Sequence, residues 1–421
     1  SAQALQRLSE PGVTEIILPD CSRIEPDQMR DSILQCRRTL RVLRLGTCGR
    51  CVGDSTLEAL AKAGGVPRLE MASLAEGTYQ LTDAGVLELL RCCPRLTGLE
   101  LSANSRITLK ALEKMVDNER PIGMALTTLS LTDCIQLGPD ELEPLKGMAC
   151  LERLSLSGLT KLTDGILLQI LEACGGRLRH LDISDCTDLT DATLKAIGER
   201  CGVLESLNLG LCPLFTSGAI QEIFQYSGSS AEASTGRLAQ NPSATTAQDD
   251  GYINPASSGD GGALKGKGKG KGKGKGASVA SSVAAVPRSA SAAGGGDGSG
   301  ARKGHTMLKS RLTSVSLRGL VQVDDKAVEA MAAACSGSLR SLDLKGLALI
   351  TDRSLVALAR YCSSSLESLD LSFCRSATDD GLGHLVDSCE GVRSLRLWGC
   401  MQVTDRFLRG HTKEELVISR Y

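Results

Sequence analysis

The pattern L-x-x-L-x-L-x-x-C/L/N recurs twelve times along the chain, opening at Val13, Leu40, Val66, Leu96, Leu126, Leu151, Leu178, Leu204, Leu312, Leu339, Leu366 and Val392. Successive openings lie 25 to 30 residues apart, except for one interval of 108. Repetition at such a period confines the fold, because each unit is too small to bury its own apolar face and must stack on its neighbours. A length of 421 residues would otherwise suggest about three separate domains. Within a unit, Leu181-Asp182-Ile183 or Leu369-Asp370-Leu371 alternates with period two, which sets a short strand with its apolar residues inward. A turn follows, then Thr-Asp, as in Thr82-Asp83, Thr163-Asp164, Thr190-Asp191, Thr351-Asp352, Thr378-Asp379 and Thr404-Asp405, which signals a helix N-cap. Apolar residues then take helical spacing, as in Leu194 and Ile197 or Leu355 and Leu358. The expected fold is an α/β leucine-rich-repeat solenoid, a horseshoe of about 12 repeats with a parallel β-sheet on the concave face and helices on the convex face.

The long interval holds an insertion. From about Ser227 to Thr306 the periodicity stops and the sequence turns to Ser, Ala, Gly and Lys, with LKGKGKGKGKGKGAS in the middle; such a composition is expected to stay disordered. Repeats 1–8 are thus expected over residues 1–226, the insertion over 227–306, and repeats 9–12 with a C-terminal cap over 307–421, continuing the same solenoid. The insertion carries ten basic and five acidic residues, a local charge of +5 within a chain of net charge −1. A flexible cationic tract can hold nucleic acid or an acidic partner through Lys265, Lys267, Lys269, Lys271, Lys273 and Lys275, by an attraction that fades with salt. It can equally serve as a solvated spacer, the preferred reading, since Tyr252 is its one aromatic residue and bases need aromatic platforms.

Composition narrows the chemistry. Hydrophobic residues make up 42% and charged residues 23%, enough for a core throughout the repeats. With aromatics at 2%, that core must be Leu, Ile, Val, Ala and Cys. The 17 cysteines are an odd number and too sparse for a disulfide scaffold. Most have a place in the repeat: Cys21, Cys48, Cys134, Cys186, Cys212, Cys374 and Cys400 fill its ninth position, and Cys36, Cys92, Cys93, Cys174, Cys201, Cys335, Cys362 and Cys389 precede the next strand. They read as small reduced hydrophobes packed between coils; Cys51 and Cys150 lie off register. The polar start SAQALQRLSEPGVTE is no secretory signal, and no apolar run approaches the length of a membrane helix.

Catalysis has little to work with. The Gly-Lys alternation lacks the glycine spacing of a phosphate loop, and His180, His305, His384 and His411 are scattered, with no HExxH and no serine elbow. Cys48-Gly49-Arg50-Cys51 is a lone CxxC; a zinc site needs two further ligands, of which Cys36 is the one candidate. No metal, no cofactor and no enzymatic activity are expected. The expected binding face is the concave one, where the residue between the last two strand leucines runs Ile17, Arg44, Glu70, Glu100, Ser130, Ser155, Asp182, Asn208, Ser316, Asp343, Asp370 and Arg396. At its C-terminal end Phe373, Arg396 and the single Trp, Trp398, should cluster on adjacent strands, a composition typical of interaction hot spots. The competing reading is that Trp398 packs against the end cap.

The cysteine-bearing repeat resembles the F-box-type leucine-rich-repeat proteins, substrate receptors of cullin-RING ubiquitin ligases. The segments LRLGTCGRCVGD, LDLSFCRSATDDGLGHLVDSC and LRLWGCMQVTDRFLRGH are similar to the Rad-seven family of nucleotide-excision-repair proteins, across all repeats but not the insertion. The resemblance implies a non-catalytic nuclear scaffold acting with a SWI/SNF-type DNA-dependent ATPase and a cullin-type ubiquitin ligase. The start at Ser1 is compatible with a fragment, and the twelve residues before Val13 leave no room for an F-box or a cysteine-rich N-terminal region. Three functions stay open: a repair scaffold linked to a cullin-RING ligase, a general F-box-type substrate receptor unrelated to repair (in the nucleus or the cytoplasm), and a DNA-binding protein acting through the basic insertion.

Overall fold

The computed structural model describes residues 12–47, 51–75, 80–112, 125–225, 311–411 and 413–420. Among them the repeats form one parallel sheet of thirteen strands in unbroken chain order. The strands are β1 (Glu15–Leu18), β2 (Val42–Leu45), β3 (Met71–Leu74), β4 (Gly98–Glu100), β5 (Thr128–Ser130), β6 (Arg153–Ser155), β7 (His180–Asp182), β8 (Ser206–Asn208), β9 (Ser314–Ser316), β10 (Ser341–Asp343), β11 (Ser368–Asp370), β12 (Ser394–Arg396) and β13 (Val417–Ser419). The repeated spacing sets the register: Leu154, Leu181, Leu207, Val315, Leu342, Leu369 and Leu395 stand opposite one another on β6 to β12. Consecutive helices pack side by side behind the sheet, and one apolar cluster runs from Ile16 to Leu416 between the two layers. Burying each such Leu contributes roughly 1.5–3 kcal/mol, and only the stack makes that burial available.

Two details differ from the sequence expectation. The third repeat opens at Leu69 and not at Val66: Arg44 pairs with Ser73, and Ser73 with Glu100. Counting from Val66 puts Met71 inward, whereas the observed frame buries Ala72 and Leu74 and leaves Met71 partly exposed. An alanine at a position that elsewhere holds Leu concealed the frame. The second difference is β13, which pairs Ser394 with Val417 and Arg396 with Ser419; it extends the sheet with Leu416 buried although its sequence lacks the full motif.

The Thr-Asp pair does more than cap. Thr82, Thr190, Thr351, Thr378 and Thr404 each accept the backbone N–H of the second residue of their own helix, as N-cap residues do. Thr163 makes no such side-chain bond. The aspartate at the first helical position, whether or not a Thr precedes it, reaches to the next coil. Asp54 accepts the N–H and hydroxyl of Thr82 at 2.8 and 2.6 Å, Asp164 those of Thr190 at 3.0 and 2.6 Å, and Asp352 those of Thr378 at 2.9 and 2.6 Å. The same contact joins Asp83 to Thr108, Asp191 to Thr216, Asp325 to Thr351, and Asp379 to Thr404. An acidic residue in a helix's first turn also suits the helix dipole. The motif is therefore a ladder that fixes the stacking of one helix on the next.

A second ladder runs through the ninth position. The thiols of Cys134, Cys186, Cys212, Cys374 and Cys400 donate to the carbonyl oxygens of Leu101, Leu156, Ile183, Leu344 and Leu371 in the preceding coil, at 3.0 to 3.2 Å. Asn104 occupies the same position and donates its side-chain N–H to Leu74 and Leu101. The cysteines are thus both packed and bonded, a role that hydrophobic packing alone does not capture.

The described repeats on either side of the insertion belong to one compact unit. β8 pairs directly with β9, Leu207 opposite Val315. Here the Thr-Asp ladder is inverted: Ser217 stands where Asp is usual and donates its hydroxyl at 2.5 Å to Asp324, which stands where Thr is usual. Among the described residues no helix is long and apolar enough to cross a membrane.

Candidate interaction surface

The strands present alternate residues to the open face of the sheet. Arg44, Ser73, Glu100, Ser130, Ser155, Asp182, Asn208, Ser316, Asp343, Asp370 and Arg396 are register partners in that order. Of the residues predicted for this row, Arg44, Glu100, Asp182, Asp343, Asp370 and Arg396 are in it. Glu70 is not. The shifted frame puts it before β3, where its carboxylate pairs with Arg41 at 2.7 Å. A depression of about 410 Å³ lies over β4 to β9, lined by Glu100, Ser130, Ser155, His180, Asp182 and Asn208 among others. His180 is held below its ordinary pKa by burial and by the neighbouring Arg153.

The acidic members of the row also serve the turns that follow them. Asp182, Asp343 and Asp370 each accept the backbone N–H two residues on, from Ser184, Lys345 and Ser372, at 3.0, 2.9 and 2.8 Å; Asn208 does the same for Gly210. Such Asx turns are a recognised habit of Asp and Asn, and the spacing is legible in the sequence once the strand's end is known. Burial, with the neighbouring Asp370 carboxylate, raises the pKa of Asp343 against the opposing pull of the Lys345 N–H. Asp370 itself faces Arg396 at 3.7 Å.

Phe373 and Trp398 do not lie on strands. β11 and β12 end at Asp370 and Arg396, because three-residue strands give way at once to the turn. The two side chains sit in successive turns, joined where the Phe373 N–H donates to the Trp398 carbonyl at 2.5 Å. Trp398 is 44% exposed and Phe373 52%. The Lys345 ammonium lies 5.5 Å from the Phe373 ring centroid.

Six of the buried thiols are chemically quiet. Burial pushes Cys174, Cys186, Cys201, Cys335, Cys362 and Cys374 up to about 12, so each stays protonated at neutral pH and lacks the thiolate that nucleophilic or metal chemistry requires. Cys51 is buried in the core, and Cys36 donates its thiol to the Ser32 carbonyl at 3.2 Å. Cys48 lies outside the described residues, as do Lys265, Lys267, Lys269, Lys271, Lys273 and Lys275. Among the described residues no group of three or more His, Cys, Asp or Glu is placed to hold a metal ion.

No family model matches the chain. A DNA repair protein, rhp7 of Schizosaccharomyces pombe, is 30% identical over 196 residues, which cover 41% of this chain and 34% of that protein. The chain thus spans about a third of the length of the curated relative it matches. The crystal structure of the yeast Rad7 and Elc1 complex superposes with a TM-score of 0.68 at 19% identity, covering 99% of this chain and 83% of that one. In sequence over that stretch and in fold over nearly its whole length, the chain is a leucine-rich-repeat protein similar to Rad7.

Proposed function

We propose that the chain is a non-catalytic scaffold of nucleotide-excision DNA repair in the nucleus, acting as the substrate-recognition subunit of a cullin-RING ubiquitin ligase. The observation that carries this reading is the similarity to a DNA repair protein at 30% identity, on a fold shared with a protein crystallised together with Elc1. The open sheet face, mildly acidic at its centre, supports it as the surface for a protein substrate, with Arg44, Glu100, Asp182, Asp343, Asp370 and Arg396 at the contact. Mechanistically, such a subunit holds its substrate at fixed geometry and leaves ubiquitin transfer to the ligase; the protonated thiols suit that division.

The test is pulldown of the full chain with purified components. Retention of an Elc1-type adaptor together with a SWI/SNF-type ATPase is expected. Retention of a cullin adaptor without DNA-repair factors would transfer the protein to the general class of substrate receptors, and retention of neither would remove the reading. The Lys-Gly tract favours a second reading, direct DNA binding. Deleting Lys265 to Lys275 should then abolish a salt-dependent DNA affinity; unchanged binding would discard that role.

A further inference from the structure

Beyond each strand, the seventh and eighth residues of the repeat continue the ladder along the edge of the sheet. The N–H of the eighth residue donates to the carbonyl of the seventh in the next coil: Asp133 to Ser157, Asp185 to Gly210, Leu211 to Arg318, Gly319 to Lys345, Gly346 to Ser372. Reaching that carbonyl requires a left-handed backbone. Thr47, Ala103, Asp133, Gly158, Asp185, Leu211, Gly319, Gly346, Phe373 and Gly399 accordingly all have φ between 41° and 78°. Glycine meets this demand freely, and Asp or Asn tolerate it; Leu and Phe do not favour it.

Yet Leu211 (φ 61°) and Phe373 (φ 63°) occupy it with exposed side chains. Each leans on a glycine in the next coil. A Cβ added to Gly319 would lie 2.5 Å from the Leu211 side chain, and one added to Gly399 would lie 2.6 Å from the Phe373 ring. The fold thus holds two large apolar groups outward, in rigid seats, at a site where glycine would serve the backbone better. Such an outlier points toward binding. They are not alone: Val321, Leu349, Trp398 and Met401 (81% exposed) stand in neighbouring turns of the same edge.

The turn positions of this edge carry charge of one sign, beside an acidic strand row in which Asp343 feels Arg318 and Lys345. At the two turn positions on either side of the ninth residue, the coils that open at Leu204, Leu312, Leu339, Leu366 and Val392 carry Arg318, Lys345 and Arg375, and neither Asp nor Glu. We propose that this turn edge, from Leu211 to Met401, is a docking surface for an acidic peptide segment bearing large apolar side chains. Apolar anchors ringed by cations fit carboxylates around Leu, Met or Phe. Single-stranded nucleic acid fits less well, because most of the exposed side chains are aliphatic and the Lys345 ammonium occupies a face of Phe373, where a base would stack. The inference does not rest on the repair reading, which concerns the sheet face.

Trp398, the single Trp, reports occupancy directly. The intact chain is titrated with a short peptide of alternating Asp/Glu and Leu/Phe residues while Trp398 emission is followed. The expected result is a saturable blue shift, an affinity at least about tenfold weaker in Arg318→Glu/Arg375→Glu, and a similar loss in Phe373→Gly with no fall in melting temperature. Preservation of the fold in Phe373→Gly separates lost contact from lost structure. Unchanged emission, equal binding of a Lys/Leu peptide, tighter binding of oligothymidine, or self-association of the chain abolished by Phe373→Gly would each overturn the proposal.

Discussion

The turn edges of the middle and the C-terminal coils share one backbone and differ in much of what hangs from it. Over the coils opening at Leu96 to Leu178 the edge is mostly polar, with Ile135 its one exposed large apolar residue among those described. Thr132 bonds to Ser155 at 2.8 Å and Ser157 to Ser184 at 2.9 Å, and the left-handed position holds Ala103, Asp133, Gly158 and Asp185. Over the coils from Leu204 onward the same position holds Leu211, Gly319, Gly346, Phe373 and Gly399, and the turns around it expose Val321, Leu349, Trp398 and Met401. The N–H to carbonyl ladder is equally regular in both regions, so folding does not demand the apolar set. What folds the coils and what decorates them are separable.

That separation can be broken or sharpened by mutation. The largest effect should come from the shared core: Leu129→Ala in β5 and Leu369→Ala in β11, both essentially fully buried, should each cost about 2–5 kcal/mol in urea unfolding. A much smaller loss for Leu369→Ala would mean that the C-terminal coils are not built on the common frame. Next comes the helix ladder. Asp352→Ala deprives the Thr378 N–H and hydroxyl of their acceptor and should cost about 1–3 kcal/mol, with Asp164→Ala comparable in the middle coils.

The edge itself should respond in the opposite direction. Phe373→Gly and Ala103→Gly both relieve a left-handed backbone, and each should stabilise the fold by up to about 1 kcal/mol. In thermal unfolding the gain should appear in both variants, while peptide affinity falls in Phe373→Gly and not in Ala103→Gly.

The smallest effects are those of pH, and they too divide by region. Burial works against ionisation of Asp164, but bonds from Thr190 and Thr193 outweigh it and hold the carboxyl below its ordinary value. Its contribution to stability is therefore present above a pH of about 4 and lost as pH falls through the lowered pKa. Asp164→Asn should flatten that part of the acid limb of the stability curve. Asp343 is shifted upward by burial and by Asp370, so its ionised form costs stability at neutral pH and the cost disappears in acid. Asp343→Asn should stabilise the protein at pH 7 and bring progressively less as pH falls; a gain that grew in acid would contradict the assignment.

Most of this architecture was legible in the sequence, since L-x-x-L-x-L fixes which residues point inward and its spacing fixes the stack. The frame failed where Ala72 replaced a leucine, and with it Glu70 left the sheet face. β13 was missed because Leu416 and Ile418 carry only part of the motif. The pairing of Asp54 with Thr82, or Cys374 with Leu344, was not readable: each motif residue has a local role that accounts for it, and the bond across coils appears only once stacking sets which coil faces which. The predicted cluster of Phe373, Arg396 and Trp398 is gathered at one end, but on two levels, with Arg396 on the sheet and both aromatic groups in the turns. The left-handed row was hidden because a backbone torsion leaves no mark on sequence where Leu or Phe stands in it.

The inverted contact between Ser217 and Asp324 bears on how such a chain changes over generations. The neighbouring coils at that seam are held by strand pairing and by a hydroxyl-to-carboxylate bond, neither of which uses any residue between Gln225 and Arg311. Sequence change between those two residues leaves both contacts of the seam in place, so the seam is a place where new sequence can be tried without removing what joins the coils that carry it.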